Sequence, residues 1–393
     1  MANSATSRVL VVGGGIFGTT GALALARRGH NVEMLDPGPL PHSDASSTDI
    51  SKVIRMDYGA DGFYMALMER AMDGWRAWNA EWDKPLFHET GFLLLTRDPM
   101  APGDFEYESF RLLQKRGHRP ERMTSTSLAE RFPAWAKGGY TDGYFNPEAG
   151  WAESGEVVRQ LQRTALRLGI TIRERARVTG LTTHNGRIDG VKTADGVKLG
   201  ADAVVVAAGA WTAKLLPWLA DRIHPVGQPV FHFRADPVSS YRPPQFVPWA
   251  ADISSTGWYG FAALQDGTLK IANHGPGRRV DPDAPRQVDP EAEATFRRFL
   301  RQSLPALAEA PVLATRLCLY ADTWDGDFYL DRDPERPGLI VASGGSGHGF
   351  KFAPVLGDVI ADAVEGIENL ARARFGWRPK GDVAHEEARH MEG

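Results

Sequence analysis

The 393-residue chain carries a single cysteine, Cys318. That excludes an intrachain disulfide and any zinc or iron–sulfur centre built from several thiolates, and it leads us to expect a reducing, cytoplasmic setting. An excess of charge of either sign is also missing. Forty-five Lys and Arg face 49 Asp and Glu, for a formal net charge of −4, so the overall field attracts neither nucleic acid nor an anionic membrane surface. A membrane span is absent too: the 18 uncharged residues between Arg8 and Arg27 invite that reading, but glycines and threonines interrupt them. What remains is an ordinary globular composition, 42% apolar, 24% charged and 10% aromatic, in a length that suggests two or three domains.

The uncharged stretch has a better reading. Val9-Leu10-Val11-Val12 suits a buried parallel strand, Gly13-Gly14-Gly15-Ile16-Phe17-Gly18 follows as a turn, and Thr19–Arg28 reads as a helix stopped by Gly29. Asn31–Leu35 is a second strand and ends at Asp36. Each glycine of this βαβ unit has its own mechanical task. Gly13 permits the tight turn, Gly15 lets backbone approach a pyrophosphate, and Gly18 lets helix pack on strand. The helix N-terminus offers free N–H groups to the phosphates, and Asp36 can accept from a ribose diol. The chain therefore reads as a dinucleotide binder.

Further on, Val157, Val158, Leu161, Ala165 and Leu168 recur at helical spacing from Ser154, with Gly169 as the stop. Short strands separated by Asn185-Gly186 and Asp195-Gly196 follow, and then the buried run Ala203–Ala208 leads to Gly209-Ala210-Trp211. A βαβ unit that returns through a helix, a β-meander and a glycine-terminated strand suggests a flavin-type dinucleotide fold. Residues from about 80 to 150 and 220 to 317 lack the βα rhythm and read as a second, sheet-rich domain inserted twice. Within it, Asp289-Pro290 opens a helix whose Phe296, Phe299 and Leu300 face inward, ended by Pro305. We expect an α/β fold with an α+β second domain: 1–80, 151–220 and 318–393 form the first, 81–150 and 221–317 the second.

In the C-terminal third, the strand Leu339–Ala342 leads into Gly344-Gly345-Ser346-Gly347-His348-Gly349-Phe350-Lys351 and an apolar stretch, a second loop-to-helix anion site. It is no hydrolase elbow, because G-x-S-x-G would require glycine where His348 stands. Asp322, Asp325, Asp327, Asp331 and Asp333 lack calcium-loop spacing and read as a solvated turn region.

Together these pieces resemble the flavin-dependent amine oxidases of the monomeric sarcosine oxidase type and their relatives the fructosyl amino acid oxidases, within the D-amino acid oxidase superfamily. The resemblance runs from Val9 to about Gly366. It is carried by Cys318 placed 33 residues before Lys351 in Ser-Gly-His-Gly-Phe-Lys, by Lys52-Val53-Ile54-Arg55, by Tyr259-Gly260-Phe261, and by Leu269-Lys270 with His274 four residues on. It implies a Rossmann-like FAD-binding domain of the glutathione-reductase type. FAD would be bonded covalently to Cys318 and contacted by Gly13, Gly15, Ile16, Phe17, Gly18, Asp36, Ser47, Thr48, Lys52, Val178, Gly209, Trp211, Gly345, Gly347, His348, Gly349 and Lys351.

The same resemblance implies that Arg55 and Lys351 hold a substrate carboxylate, which suits a bidentate guanidinium and a point-charge ammonium. Lys270 would assist the reaction of reduced flavin with dioxygen by stabilising the anion that forms. Tyr259, Tyr320 and His274 would line the substrate cavity, where desolvation keeps the amine neutral. The expected activity is oxidation of a secondary amino acid such as sarcosine to an imine, with dioxygen reduced to hydrogen peroxide, by a monomer that binds neither nucleic acid nor membrane.

Two departures bear on the substrate. Lys52 stands where the sarcosine oxidases have arginine, which leans toward the fructosyl branch. That branch places an acidic residue near the histidine, however, and Asn273-His274 supplies none. A fructosyl amino acid oxidase, a dehydrogenase using another electron acceptor, and a non-catalytic or tRNA-modifying flavoprotein are the alternatives.

Overall fold

A computed structural model describes residues 6–391. The chain divides into two compact units. The first comprises the N-terminal segment up to Ile50, Glu153–Val226 and Leu319–His385; the second comprises Ser51–Ala152, Gly227–Cys318 and the segment from Glu386.

In the first unit, a six-stranded sheet runs in the order Tyr329–Arg332, Leu339–Ser343, Ala203–Val206, Arg8–Val12, Asn31–Leu35, Thr171–Arg173. All neighbours are parallel except the Tyr329–Arg332 edge. Parallel strands covered on both faces must be apolar throughout, and Val9 to Val12 and Val204 to Val206 are buried. The helix Ile16–Arg27 crosses between the first two parallel strands and packs against the helix Ala353–Glu365. The two backbones come close: a Cβ on Gly357 would lie 2.4 Å from the Thr20 carbonyl oxygen, and one on Gly21 would meet Ile360 at 2.9 Å. The strands Val178–His184, Arg187–Thr193 and Lys198–Gly200 form a separate three-stranded meander. Asn185 and Gly186 take left-handed backbone at its first turn, as an Asn-Gly hairpin requires.

The second unit is built on a nine-stranded sheet that includes Ile223–Arg234, Thr268–Asn273, Trp258–Gly260, Trp249–Ala251, Phe92–Thr96 and Asp142–Asn146. Asp289 caps the helix Pro290–Ser303 by accepting from Glu291 N. The helix lays Phe296, Phe299 and Leu300 into an aromatic core with Trp249, Trp135 and Phe246. Removing either phenylalanine side chain would cost about 3–5 kcal/mol. A small sheet pairs Lys52–Ile54 and Phe87–His88 with Gly150–Ala152.

Several expectations need revision. The first helix starts at Ile16, not Thr19, because Gly15 is already its N-cap. The boundary expected near residue 80 falls at 50/51, since Lys52–Ile54 pairs with Gly150–Ala152 and the helix Gly62–Glu81 belongs to the same unit. The glycine-rich turn after Ser343 enters a 3-10 turn, Gly349–Phe352, before the α-helix begins at Ala353.

The five aspartates are not a solvated turn. Asp322, Asp331 and Asp333 are buried, and arginines compensate the region: Asp325 pairs with Arg378 at 2.6 Å, Asp327 with Arg374 at 2.8 Å, Asp331 with Arg372 at 2.9 Å and Asp333 with Arg336 at 3.2 Å. The partners lie up to 53 residues away in sequence, which is why spacing alone misreads them. No group of His, Cys, Asp or Glu among the described residues could hold a metal ion, and no helix among them is long and apolar enough to cross a membrane.

Candidate active site

In the first unit the glycine turn is shaped by contacts that leave no room for a side chain. Gly13 has φ +107°, and a Cβ there would meet the Ala207 carbonyl at 2.4 Å; one on Gly18 would meet the Gly13 carbonyl at 1.9 Å. Gly15 differs. Its nearest neighbour would be the Ser47 hydroxyl at 3.4 Å, so its backbone faces open space. Helix Ile16–Arg27 begins there without a side-chain cap and without an acidic residue in its first turn. Such an end attracts an anion.

Ile16 N donates to the buried Ser47 hydroxyl at 3.3 Å, and Thr48 lies half-buried beside it, its N–H bonded to the Ala45 carbonyl. Asp36 follows the second strand, as expected, and accepts from Gly14 N at 2.8 Å and Gly38 N at 3.1 Å. Burial pushes its carboxyl above the usual value against the pull of those amides. Gln162, which no motif indicated, donates to the Gly14 carbonyl at 3.0 Å and braces the turn from the helix Ser154–Arg167.

The second glycine loop packs against the same helix start. Cβ atoms on Gly345 and Gly349 would meet the Phe17 ring at 3.5 and 2.8 Å, and one on Gly347, at φ +81°, would meet the Tyr320 ring at 2.5 Å. Ser346 also takes left-handed backbone; its Oγ donates to the Gly344 carbonyl and accepts from Thr323 N. His348 is buried with Nε2 3.1 Å from the Gly326 carbonyl. Lys351 is buried in the 3-10 turn, its Nζ 6.0 Å from the Phe352 ring centroid. Gly209, at φ +52°, opens the turn Gly209–Trp211, and Trp211 lies 6.2 Å from the His42 ring. Val178 starts the meander and packs against the apolar cluster of Leu10, Val204 and Val341.

In the second unit, strand periodicity places the charges. On Thr268–Asn273, Leu269 and Ile271 point into the aromatic core, so Lys270 faces the other way, a direction that Ala272 and His274 share by alternation. Asp266 is exposed in the turn before this strand, with Gly267 buried behind it, and Lys270, four residues beyond Asp266, is only 1% exposed. Its Nζ donates to the Ser51 carbonyl at 2.8 Å and lies 4.8 Å from the Phe261 centroid. The Ser51 hydroxyl is buried without a hydrogen-bond partner among the described residues. Half-buried Tyr259 stands perpendicular to His274 at 6.5 Å. His274 N donates to the Gly257 carbonyl at 2.6 Å, an approach that glycine at φ +78° allows. Cys318 is buried, and Lys52 is half-buried on its short strand.

Arg55 is buried at the end of that strand. It donates through Nη1 to the Asp57 carbonyl and through Nη2 to Glu386 at 3.1 Å. Burial disfavours its cation, but Glu386, Tyr58 and Asp57 outweigh that and hold it more firmly protonated than usual. Tyr144 donates to Asp57 at 2.6 Å, and burial together with that carboxylate pushes its phenol well up.

Glu386 also lies 3.3 Å from His274 Nε2. The acidic neighbour that Asn273-His274 lacks is therefore supplied from the far end of the chain. Sequence reading missed Glu386, Asp57 and Tyr144, since no local spacing marks them. Burial pushes His274 below its ordinary value, opposed by Glu386 and reinforced by Arg389 and Arg55.

The family described as FAD dependent oxidoreductase matches residues 8–363. Among curated proteins, monomeric sarcosine oxidase from Bacillus sp. (strain B-0618) is 27% identical over 358 residues, 90% of each chain. N-methyl-L-tryptophan oxidase from Yersinia pestis is 30% identical over 360 residues, 90% of this chain and 93% of that one. Among solved structures, fructosamine oxidase (Amadoriase II) from Aspergillus fumigatus, in complex with FSA, superposes with a TM-score of 0.86 at 26% identity, covering 99% of this chain and 94% of that one.

Proposed function

Because the chain belongs to the FAD dependent oxidoreductase family, we propose that it oxidises the secondary amine of an N-substituted amino acid, as the names of its sarcosine and N-methyl-L-tryptophan oxidase relatives suggest. The residues of the first unit fit FAD. The open backbone at Gly15, the uncapped helix start without acidic side chains, and a buried carboxylate at Asp36 suit a pyrophosphate and a ribose in turn. Bound there, FAD would supply the acceptor for a hydride equivalent from the carbon beside the amine. The resulting imine hydrolyses to a primary amine and a carbonyl compound, and dioxygen takes two electrons and two protons to become hydrogen peroxide.

Within this reading Arg55 grips the substrate carboxylate and Lys351 adds a second positive charge. Lys270 supplies a fixed, desolvated cation for reduced dioxygen. By the resemblance, Tyr259, Tyr320 and His274 would line the substrate cavity and keep the amine neutral, and Cys318 would hold the flavin through a thioether. The enzyme works as a cytoplasmic monomer. The observation that carries the proposal is the burial of Lys270: an ammonium 1% exposed on a central strand is costly to keep, and oxygen chemistry gives it a use.

The test is anaerobic mixing with a panel of N-methyl amino acids. Bleaching of the yellow absorbance, followed by peroxide on admitting air, is expected; a flavin that stays oxidised across the panel would refute the activity. Acid precipitation followed by filtration checks the thioether, since yellow filtrate would mean that Cys318 carries no flavin.

A further inference from the structure

Arg55, the carboxylate anchor of the proposed function, already holds a carboxylate. The Glu386 side chain is 3% exposed, with Oε1 at 3.1 Å from Arg55 Nη2 and Oε2 at 3.3 Å from His274 Nε2. The segment that delivers it is docked by several independent bonds. His390 N donates to the His274 carbonyl at 3.2 Å, Arg389 Nε to the Gly275 carbonyl at 3.2 Å and Arg389 Nη2 to the Pro276 carbonyl at 3.4 Å. Glu387 accepts from Ala60 N at 3.4 Å and fills the place a Cβ on Gly59 would need. Arg389 N closes the turn on the Glu386 carbonyl at 2.8 Å.

The remaining Arg55 fork is also in use, because Nη1 donates to the Asp57 carbonyl. An incoming carboxylate thus needs the donor that Glu386 occupies, and two carboxylates in one buried place repel each other strongly. We propose that the segment Glu386–Met391 is a built-in competitor: Glu386 occupies the carboxylate position at Arg55 and must leave before a carboxylate-bearing substrate is bound. This rests on the reading of Arg55 as that anchor. It makes the C-terminal segment the determinant of which substrates succeed, since a ligand without a carboxylate gains nothing by displacing it. The apparent affinity for a carboxylate is lowered by the fraction of molecules in which the segment is docked.

The experiment uses the full-length holoenzyme and acetate as probe. Equilibrium dialysis of labelled acetate should show binding at least about tenfold tighter in Glu386→Gln, and in a chain ending at His385, than in the unaltered protein, as expected if the segment is docked in nine molecules of ten or more. Acetate should also speed trypsin cleavage after Arg389, a residue buried while the segment is docked. Unchanged or weaker acetate binding in both variants, or a cleavage rate that ignores acetate, overturns the proposal; weaker binding would make Glu386 a partner of the ligand. Arg55→Met is the separate control. It should abolish acetate binding with or without Glu386, and if acetate binds Arg55→Met as it binds the unaltered protein, the reading of Arg55 itself fails.

Discussion

The two units build their candidate sites in opposite ways. The first shapes backbone: Gly13, Gly15 and Gly18 lie within six consecutive residues, and what matters there is the absence of side chains. The second gathers side chains from distant stretches, with Arg55, Asp57, Tyr144, His274 and Glu386 linked in one buried polar group. A backbone cradle is local and tolerates almost no substitution. A side-chain cluster is non-local, and each charge in it is kept buried only by its partners.

The largest expected effect tests the cradle. Gly18→Val forces a side chain onto the Gly13 carbonyl, 1.9 Å from where its Cβ would sit. We expect destabilisation of more than about 3 kcal/mol and loss of the flavin. The urea midpoint and the flavin-to-protein ratio after gel filtration check it; a variant that keeps both would show that the turn has slack.

Next comes the lysine. Lys270→Met preserves length while removing the charge, and reoxidation by dioxygen should slow by about 10²-fold, whereas anaerobic reduction changes less than about threefold. Stopped-flow measurement of the two half-reactions separates them, and equal slowing would assign Lys270 to the amine step or to the fold.

The smallest effect concerns His274, which burial holds below its ordinary value of 6.5. As pH falls through 6.5 the unfolded chain takes up a proton that the folded chain refuses. The stability linked to this group is therefore complete above 6.5 and declines below it, by at most about 1.4 kcal/mol per pH unit. His274→Asn should flatten the decline of the thermal midpoint between pH 7.5 and 5.5. An unaltered slope would mean that His274 titrates as freely when folded as when unfolded.

This contrast also explains what could be read from the chain. The strand Asn31–Leu35, the glycine turn and the helix Pro290–Ser303 were legible because periodicity and caps are local signals. Lys270 and His274 were singled out only through resemblance, and the burial of Lys270 ran against the exposed Asp266 four residues before it. Glu386 could not have been found at all, since it pairs with a residue 331 positions earlier. The break at 50/51 was hidden for a similar reason: a three-residue strand, Lys52–Ile54, takes its allegiance from a partner about a hundred residues on.

The arginine rungs near the end of the chain carry a practical lesson for handling the protein. Arg372, Arg374 and Arg378 neutralise Asp331, Asp327 and Asp325, so trimming the chain ahead of Arg372 would remove an arginine partner from each of three carboxylates. An affinity handle is better fused ahead of the first strand than behind the last rung, where it would tug on the Glu386 segment as well.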